Sequence, residues 1–191
     1  MQIESENLWL SIEINDTNLM NADPYKGPFT NITEAFDAFV ASPRVLIDQY
    51  ILPQDNCLAI ANAIQNHKAR AITDGSYKNN KGTAGITIHP GKTVSNKLSV
   101  YNCSPGTEEE QQPYRSKLVG INGTLSALKI IVDYHEITTG TIEIACDNME
   151  AKNQGEKDEE YVHISQNCAD IIQDIRRRKS DLPIGIKFKW R

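Results

Sequence analysis

Ala69-Arg70-Ala71-Ile72-Thr73-Asp74-Gly75-Ser76-Tyr77 is a short β-prone run that ends in the polar turn Lys78-Asn79-Asn80-Lys81-Gly82, and the elements around it can be placed from it. Directly after the turn, Ala84, Ile86 and Ile88 alternate with Gly85 and Thr87, which predicts a second strand over 83–89 with one apolar face. Leu98 and Val100 repeat the pattern in a third strand over 97–103. Three consecutive strands joined by short turns make an antiparallel meander.

Toward the C-terminus, Gly106 to Gln112 is an acidic loop. Past Pro113, Leu118, Ile121, Leu125, Leu128 and Val132 recur at helical spacing for about four turns. Gly120 and Gly123 inside this helix each cost about 1 kcal/mol relative to Ala, which points to a close backbone approach to the sheet. Thr141 to Cys146 alternates as a fourth strand, closed by Asp147-Asn148. A charged loop, Gln154 to Glu160, precedes a second long helix with Ile164, Cys168, Ile171, Ile172 and Ile175 on one face. That helix ends in Arg176-Arg177-Arg178-Lys179, which suits its dipole and reads as a solvated end. After Asp181-Leu182-Pro183, Ile184, Ile186 and Phe188 alternate into a fifth strand. The expected class is α/β: a mixed five-stranded sheet in the order βββ-α-β-α-β, its first three strands antiparallel, flanked by helices.

Toward the N-terminus, Cys57, Ile60, Ala61 and Ile64 share one face of a short helix over 55–66 that leads into the domain. Residues 1–55 mix short apolar patches with Asn, Asp and Pro and carry no recognisable chemistry. The expected division is an N-terminal segment of unassigned role, 1–55, acting as a connection to an upstream domain, followed by one domain over 56–191.

Composition excludes several classes. The 191 residues, 39% hydrophobic and 24% charged, suffice for one domain and an appendage but not two full domains. A net charge of -5 gives no global basic field, so a polyanion would have to be met locally. Cys57, Cys103, Cys146 and Cys168 form no C-x-x-C pair and read as small buried hydrophobes in a reducing compartment rather than as a zinc or disulfide framework. The Asn-x-Ser/Thr triplets at Asn15, Asn31, Asn102 and Asn122 lack a signal peptide and are chance matches. No apolar run approaches membrane-spanning length. The expectation is an intracellular chain, cytoplasmic or nuclear, with no membrane partner.

Ile72-Thr73-Asp74-Gly75-Ser76-Tyr77 on the first strand, Tyr114-Arg115-Ser116-Lys117-Leu118 opening the long helix, and Ile144-Ala145-Cys146-Asp147-Asn148 ending the fourth strand together resemble the ribonuclease H family over about Arg70 to Arg191. The likeness is to the type that follows reverse transcriptases in eukaryotic retroelements, where a Ser-Asp-Gly-Ser strand and a Tyr-Arg-Ala/Ser-Glu-Leu helix start recur. It implies a ribonuclease H-like fold and, ancestrally, Mg²⁺- or Mn²⁺-dependent endonucleolytic hydrolysis of RNA in an RNA/DNA hybrid. A reverse transcriptase domain of the same retrotransposon polyprotein is the implied neighbour.

Such hydrolysis needs two divalent ions about 4 Å apart, held by clustered carboxylates beside the scissile phosphate. The resemblance assigns metal binding and catalysis to Asp74 and Asp147. At the helix position where the family carries Glu, this chain has Lys117, and it ends at Trp190-Arg191, before the family's segment with a His and a fourth Asp. A unit-charge pair at ~5 Å and an effective dielectric of ~20 is worth roughly 3 kcal/mol, so a Lys117 ammonium repels a divalent ion by roughly 6 to 7 kcal/mol. Impaired catalysis follows, with Lys117 either swung outward or standing in a cation's place between the two Asp residues. Alone, Asp74-Gly75 is an ordinary hairpin signal and Asp147-Asn148 an ordinary helix cap. The expected nucleic-acid contacts are Lys78 and Arg115 to backbone phosphates, with Tyr77 and Asn148 to sugar edges. The alternative is a non-catalytic, nucleic-acid-binding or connection domain of the same fold.

Overall fold

In the computed structural model of the chain, the described residues are 29–40, 47–91, 96–158 and 161–191. The elements are α1 (Ile32–Val40), β1 (Gln49–Ile51), α2 (Leu58–Gln65), β2 (Ala69–Lys78), β3 (Lys81–His89), β4 (Leu98–Cys103), α3 (Pro113–Tyr134), β5 (Thr141–Cys146), α4 (Met149–Glu156), α5 (Ala169–Ser180) and β6 (Gly185–Trp190). They form one sheet in the order β1-β4-β3-β2-β5-β6. β2, β3 and β4 pair antiparallel, whereas β5 runs parallel to β2 and β6 parallel to β5.

One expectation needs correction here. The sheet has six strands, because Gln49–Ile51 adds an antiparallel edge strand to β4, with Tyr50 opposite Val100. Ahead of residue 55, Ile32, Ala35, Phe36, Phe39 and Ile47 are part of the same buried core as the sheet. The Phe36 and Tyr50 rings sit 4.8 Å apart, and the Tyr50 hydroxyl donates to Asp37. The earlier part of the N-terminal segment, residues 1–28, lies outside the described residues.

Helix α3 organises the interior. Enclosed by the sheet, α1 and α5, it buries both faces, so residues beyond the apolar stripe, among them Ser116, Asn122, Thr124 and Ser126, are also buried. A helix buried all round has to satisfy its polar side chains locally: Thr124 Oγ1 donates to the Gly120 carbonyl (2.8 Å) and Ser126 Oγ to the Asn122 carbonyl (3.1 Å). The close approach expected at its glycines is present. A Cβ on Gly120 would stand 1.9 Å from Thr73 Oγ1, and one on Gly123 would stand 1.9 Å from Asn102 Nδ2.

The connection from β5 to β6 differs from the expected single helix. Met149–Glu156 is already helical, and the next helix starts only at Ala169, with Cys168 at its N-cap in the left-handed region (φ 58°). Ile164 is therefore not on that helix and is 90% exposed. Cys57, Cys146 and Cys168 are buried as expected, but Cys103 is exposed, because its strand position faces away from the helices.

Candidate functional site

Strand β2 runs through Asp74-Gly75 without turning, so the hairpin reading of that pair is excluded. The turn lies at Asn79 and Asn80 (φ 51° and 59°), a pair of left-handed residues suited to a tight hairpin. Gly75 serves another purpose. A Cβ there would meet the Ser116 carbonyl carbon at 2.4 Å, so the strand and the first turn of α3 touch backbone to backbone. That contact delivers the side chain of Lys117 to the neighbourhood of Asp74.

Asp147 reaches the same point from β5. It follows Cys146, whose strand is the parallel neighbour of β2, and Asn148 then caps α4 by accepting the Ala151 N–H (2.8 Å). Lys117 Nζ donates to Asp74 Oδ1 at 2.6 Å and to Asp147 Oδ2 at 2.8 Å. The two carboxyl groups thus converge from separate strands, no further apart than two hydrogen-bond lengths. The lysine side chain is 15% exposed, against 76% for Asp74 and 52% for Asp147. Burial pulls the Lys117 ammonium toward deprotonation, but the hydrogen bonds it donates to Asp147 and Asp74 outweigh this and hold its pKa above the ordinary lysine value.

An antiparallel trio followed by two parallel strands, with Asp74 and Asp147 each one residue beyond the last β2–β5 pair, Thr73 with Cys146, and a long helix opening beside them, is the architecture the motifs implied. The chain has a ribonuclease H-like fold. Among solved structures it is similar to LC11 ribonuclease H1 in complex with an RNA/DNA hybrid, at 13% identity over 65% of this chain and 86% of that one, TM-score 0.47. It is also similar to ribonuclease H1 from the halophilic archaeon Halobacterium salinarum (13% identity, 65% and 86% covered, TM-score 0.39) and to the prototype foamy virus protease-reverse transcriptase (13%, 65% and 18%, TM-score 0.41). No protein-family model and no curated protein matches the chain. The fold assignment rests on the strand order and directions of the sheet itself.

A ribonuclease H-like centre would hold divalent ions, and these residues do not fit them. The donors are two carboxylates, each already giving an oxygen to an ammonium. Among the described residues, no group of three His, Cys, Asp or Glu side chains could enclose an ion. Three unit charges that sum to one negative charge leave little attraction for a second cation.

The remaining expected contacts separate. Lys78 and Tyr77 are exposed at the β2–β3 hairpin, with the Tyr77 hydroxyl donating to Asn80 Oδ1 (3.2 Å). Lys78 stands about 13 Å along the strand from Asp74. Arg115 is not available to a nucleic acid: it is 4% exposed and grips Asp170 through both terminal nitrogens (3.1 and 2.6 Å) and the Pro105 carbonyl through Nε (2.8 Å). Asn148 spends its side-chain oxygen on the helix cap.

The sequence reading missed a second charged cluster, between α3 and α5. Asp174 accepts from Asn122 Nδ2 (2.8 Å), Arg177 (2.5 Å) and Arg178 Nε (2.8 Å). Arg176 turns inward to the Tyr161 carbonyl, and Lys179 caps α4 through the carbonyls of Gly155, Glu156 and Lys157. The basic run is therefore structural rather than a solvated end. Asp174 preceding Arg178 by four residues is the signal that could have found it.

Proposed function

We propose that this chain is a ribonuclease H-fold domain of a retroelement-type polyprotein whose carboxylate centre is closed by its own cation, so that it serves as a non-catalytic domain beside a polymerase rather than as a nuclease. The observation that carries this is the position of Lys117 Nζ, bonded at once to Asp74 and Asp147. An ammonium there offsets one of the two carboxylate charges, occupies the space between them and supplies no Lewis acid to activate a water. Any nucleic acid met by the exposed Lys78 and Tyr77 is held weakly and released at modest salt, given the net charge of -5. The four free cysteines suit a reducing, intracellular compartment, and no helix among the described residues is long and apolar enough to cross a membrane.

A second reading, an RNA/DNA-hybrid endonuclease using Mg²⁺ or Mn²⁺, is favoured by the convergence of Asp74 and Asp147 on one point. Calorimetric titration with Mg²⁺, alongside cleavage of a labelled RNA/DNA hybrid, separates the two. The chain as it stands should show neither submillimolar Mg²⁺ binding nor cleavage, while Lys117→Glu should acquire Mg²⁺ binding. Cleavage by the unaltered chain would establish the nuclease instead.

A further inference from the structure

Among the described residues, the six-stranded sheet ends at β6 with no strand beyond it. The Gly185 N–H donates to the Gly140 carbonyl and the Arg191 N–H to the Cys146 carbonyl, so the backbone groups of the odd-numbered residues of β6 point to β5. By alternation, those of Ile186, Phe188 and Trp190 point the other way, and among the described residues no backbone group pairs with them. Beside this edge runs a groove of about 840 Å³, whose floor includes Ile184, Ile186 and Phe188 and whose walls are charged, with Arg177 and Lys179 of α5 facing Glu156 and Asp158 at the end of α4. The register with β5 puts Ile186, Phe188 and Trp190 on the helix-covered face and Lys187 and Lys189 on the opposite face. Trp190 is 55% exposed, and among the described residues the acid partner of Lys189 is Glu143, at 3.8 Å.

We propose that β6 is a docking edge that accepts an extended partner segment alternating apolar and acidic residues, added as a further strand. A strand laid along β6 shares its two faces. Apolar side chains would enter the groove against Ile186 and Phe188, and carboxylates would stand opposite Lys187 and Lys189. Charge complementarity decides the occupant. In a chain of net charge -5 this edge is locally basic: Lys187, Lys189 and the exposed Arg191 stand against Glu143, while the groove acids Glu156 and Asp158 are already paired with Lys152 and Lys179. Pairing β6 with β6 of a second copy would set these lysines against one another, which cross-strand electrostatics disfavours. A partner strand with acidic residues removes that conflict and supplies the missing backbone partners.

The test uses the full chain and a labelled octapeptide alternating valine and glutamate, followed by fluorescence anisotropy and by amide hydrogen exchange at Ile186, Phe188 and Trp190. The peptide should bind, and those three amides should slow only when it is present. Methylating the peptide nitrogens on one set of alternate residues should abolish binding, whereas methylating the other set should spare it. Reversing both lysines, Lys187→Glu with Lys189→Glu, should weaken binding by about tenfold or more and transfer preference to a valine–lysine peptide. No binding, or equal binding of the two methylated peptides, would overturn the proposal. So would amides already protected without peptide: at every dilution, this would mean that the chain's own residues hold the edge, and only at high concentration, that a second copy does.

Discussion

Two charged clusters flank helix α3, and they are built with opposite stoichiometry. At the rim of the sheet, two carboxylates, Asp74 and Asp147, share the single cation Lys117, and both acids are more than half exposed. Between α3 and α5, one carboxylate, Asp174, is shared by Arg177, Arg178 and Asn122, and its side chain is only 25% exposed. The rim cluster keeps an excess of negative charge that another cation could use if Lys117 were gone. The inner cluster gives its one acid three donors and offers a further cation nothing. The first is a carboxylate pair bridged by one cation at the rim of the sheet, and the second is a clasp that holds two helices together.

The largest effect expected comes from Gly75, which supports the rim cluster without touching the inner one. Gly75→Ala drives a methyl group into the Ser116 backbone, where neither partner is a flexible side chain, and should cost about 3 kcal/mol in urea unfolding. Unchanged stability would mean that the strand and helix do not meet there, and that Lys117 is placed by something else.

Next is Asp174→Ala, expected to cost about 2 to 3 kcal/mol by the same measurement, because it leaves Asn122 and a largely buried Arg178 without their shared acceptor. A loss no greater than that of an exposed surface substitution would erase the contrast between clasp and rim. Acid unfolding sharpens it. Burial raises the Asp174 pKa, but Arg178, Asn122 and Arg177 more than offset this and hold it below the usual aspartate value. Its contribution is therefore present above the unfolded-state pKa and lost as pH falls through the folded one. The stability gap between the native chain and Asp174→Asn should close on the acid side.

How much of this was legible differs between the clusters for a physical reason. The rim was readable because its members sit on regular elements whose periodicity announces them: a strand run carrying Asp74-Gly75, a helix start at Pro113, a strand end at Asp147. Spacing along the chain then places all three at one end of the sheet. The clasp depends on which face of α5 meets α3, and a run of four basic residues does not disclose that one turns inward and two fold back onto Asp174. Arg115 was misplaced for a similar reason, since the pairing with Asp170 spans 55 residues and no local pattern marks it. The start of α5 was obscured by Cys168, whose left-handed backbone ends an apolar spacing that otherwise runs on to Ile164. The β1 edge strand, three residues long, is too short for alternation to be seen.

The smallest effect, and the one that separates the clusters most cleanly, concerns Lys117 itself. Lys117→Met should change stability by less than about 1 kcal/mol near neutral pH, because its exposed partners are screened by water. The pH dependence of that small difference carries the information. A lysine whose folded pKa stands above its unfolded one contributes fully below the unfolded pKa, and the contribution disappears as pH rises through the folded value. Comparing native and Lys117→Met chains in urea across neutral to strongly alkaline pH should show a constant gap that closes only at the alkaline extreme, the opposite limb from Asp174. A gap that stayed open at the alkaline extreme would show that the ammonium is not held by its two partners, and the rim would then be a carboxylate site that merely tolerates a lysine.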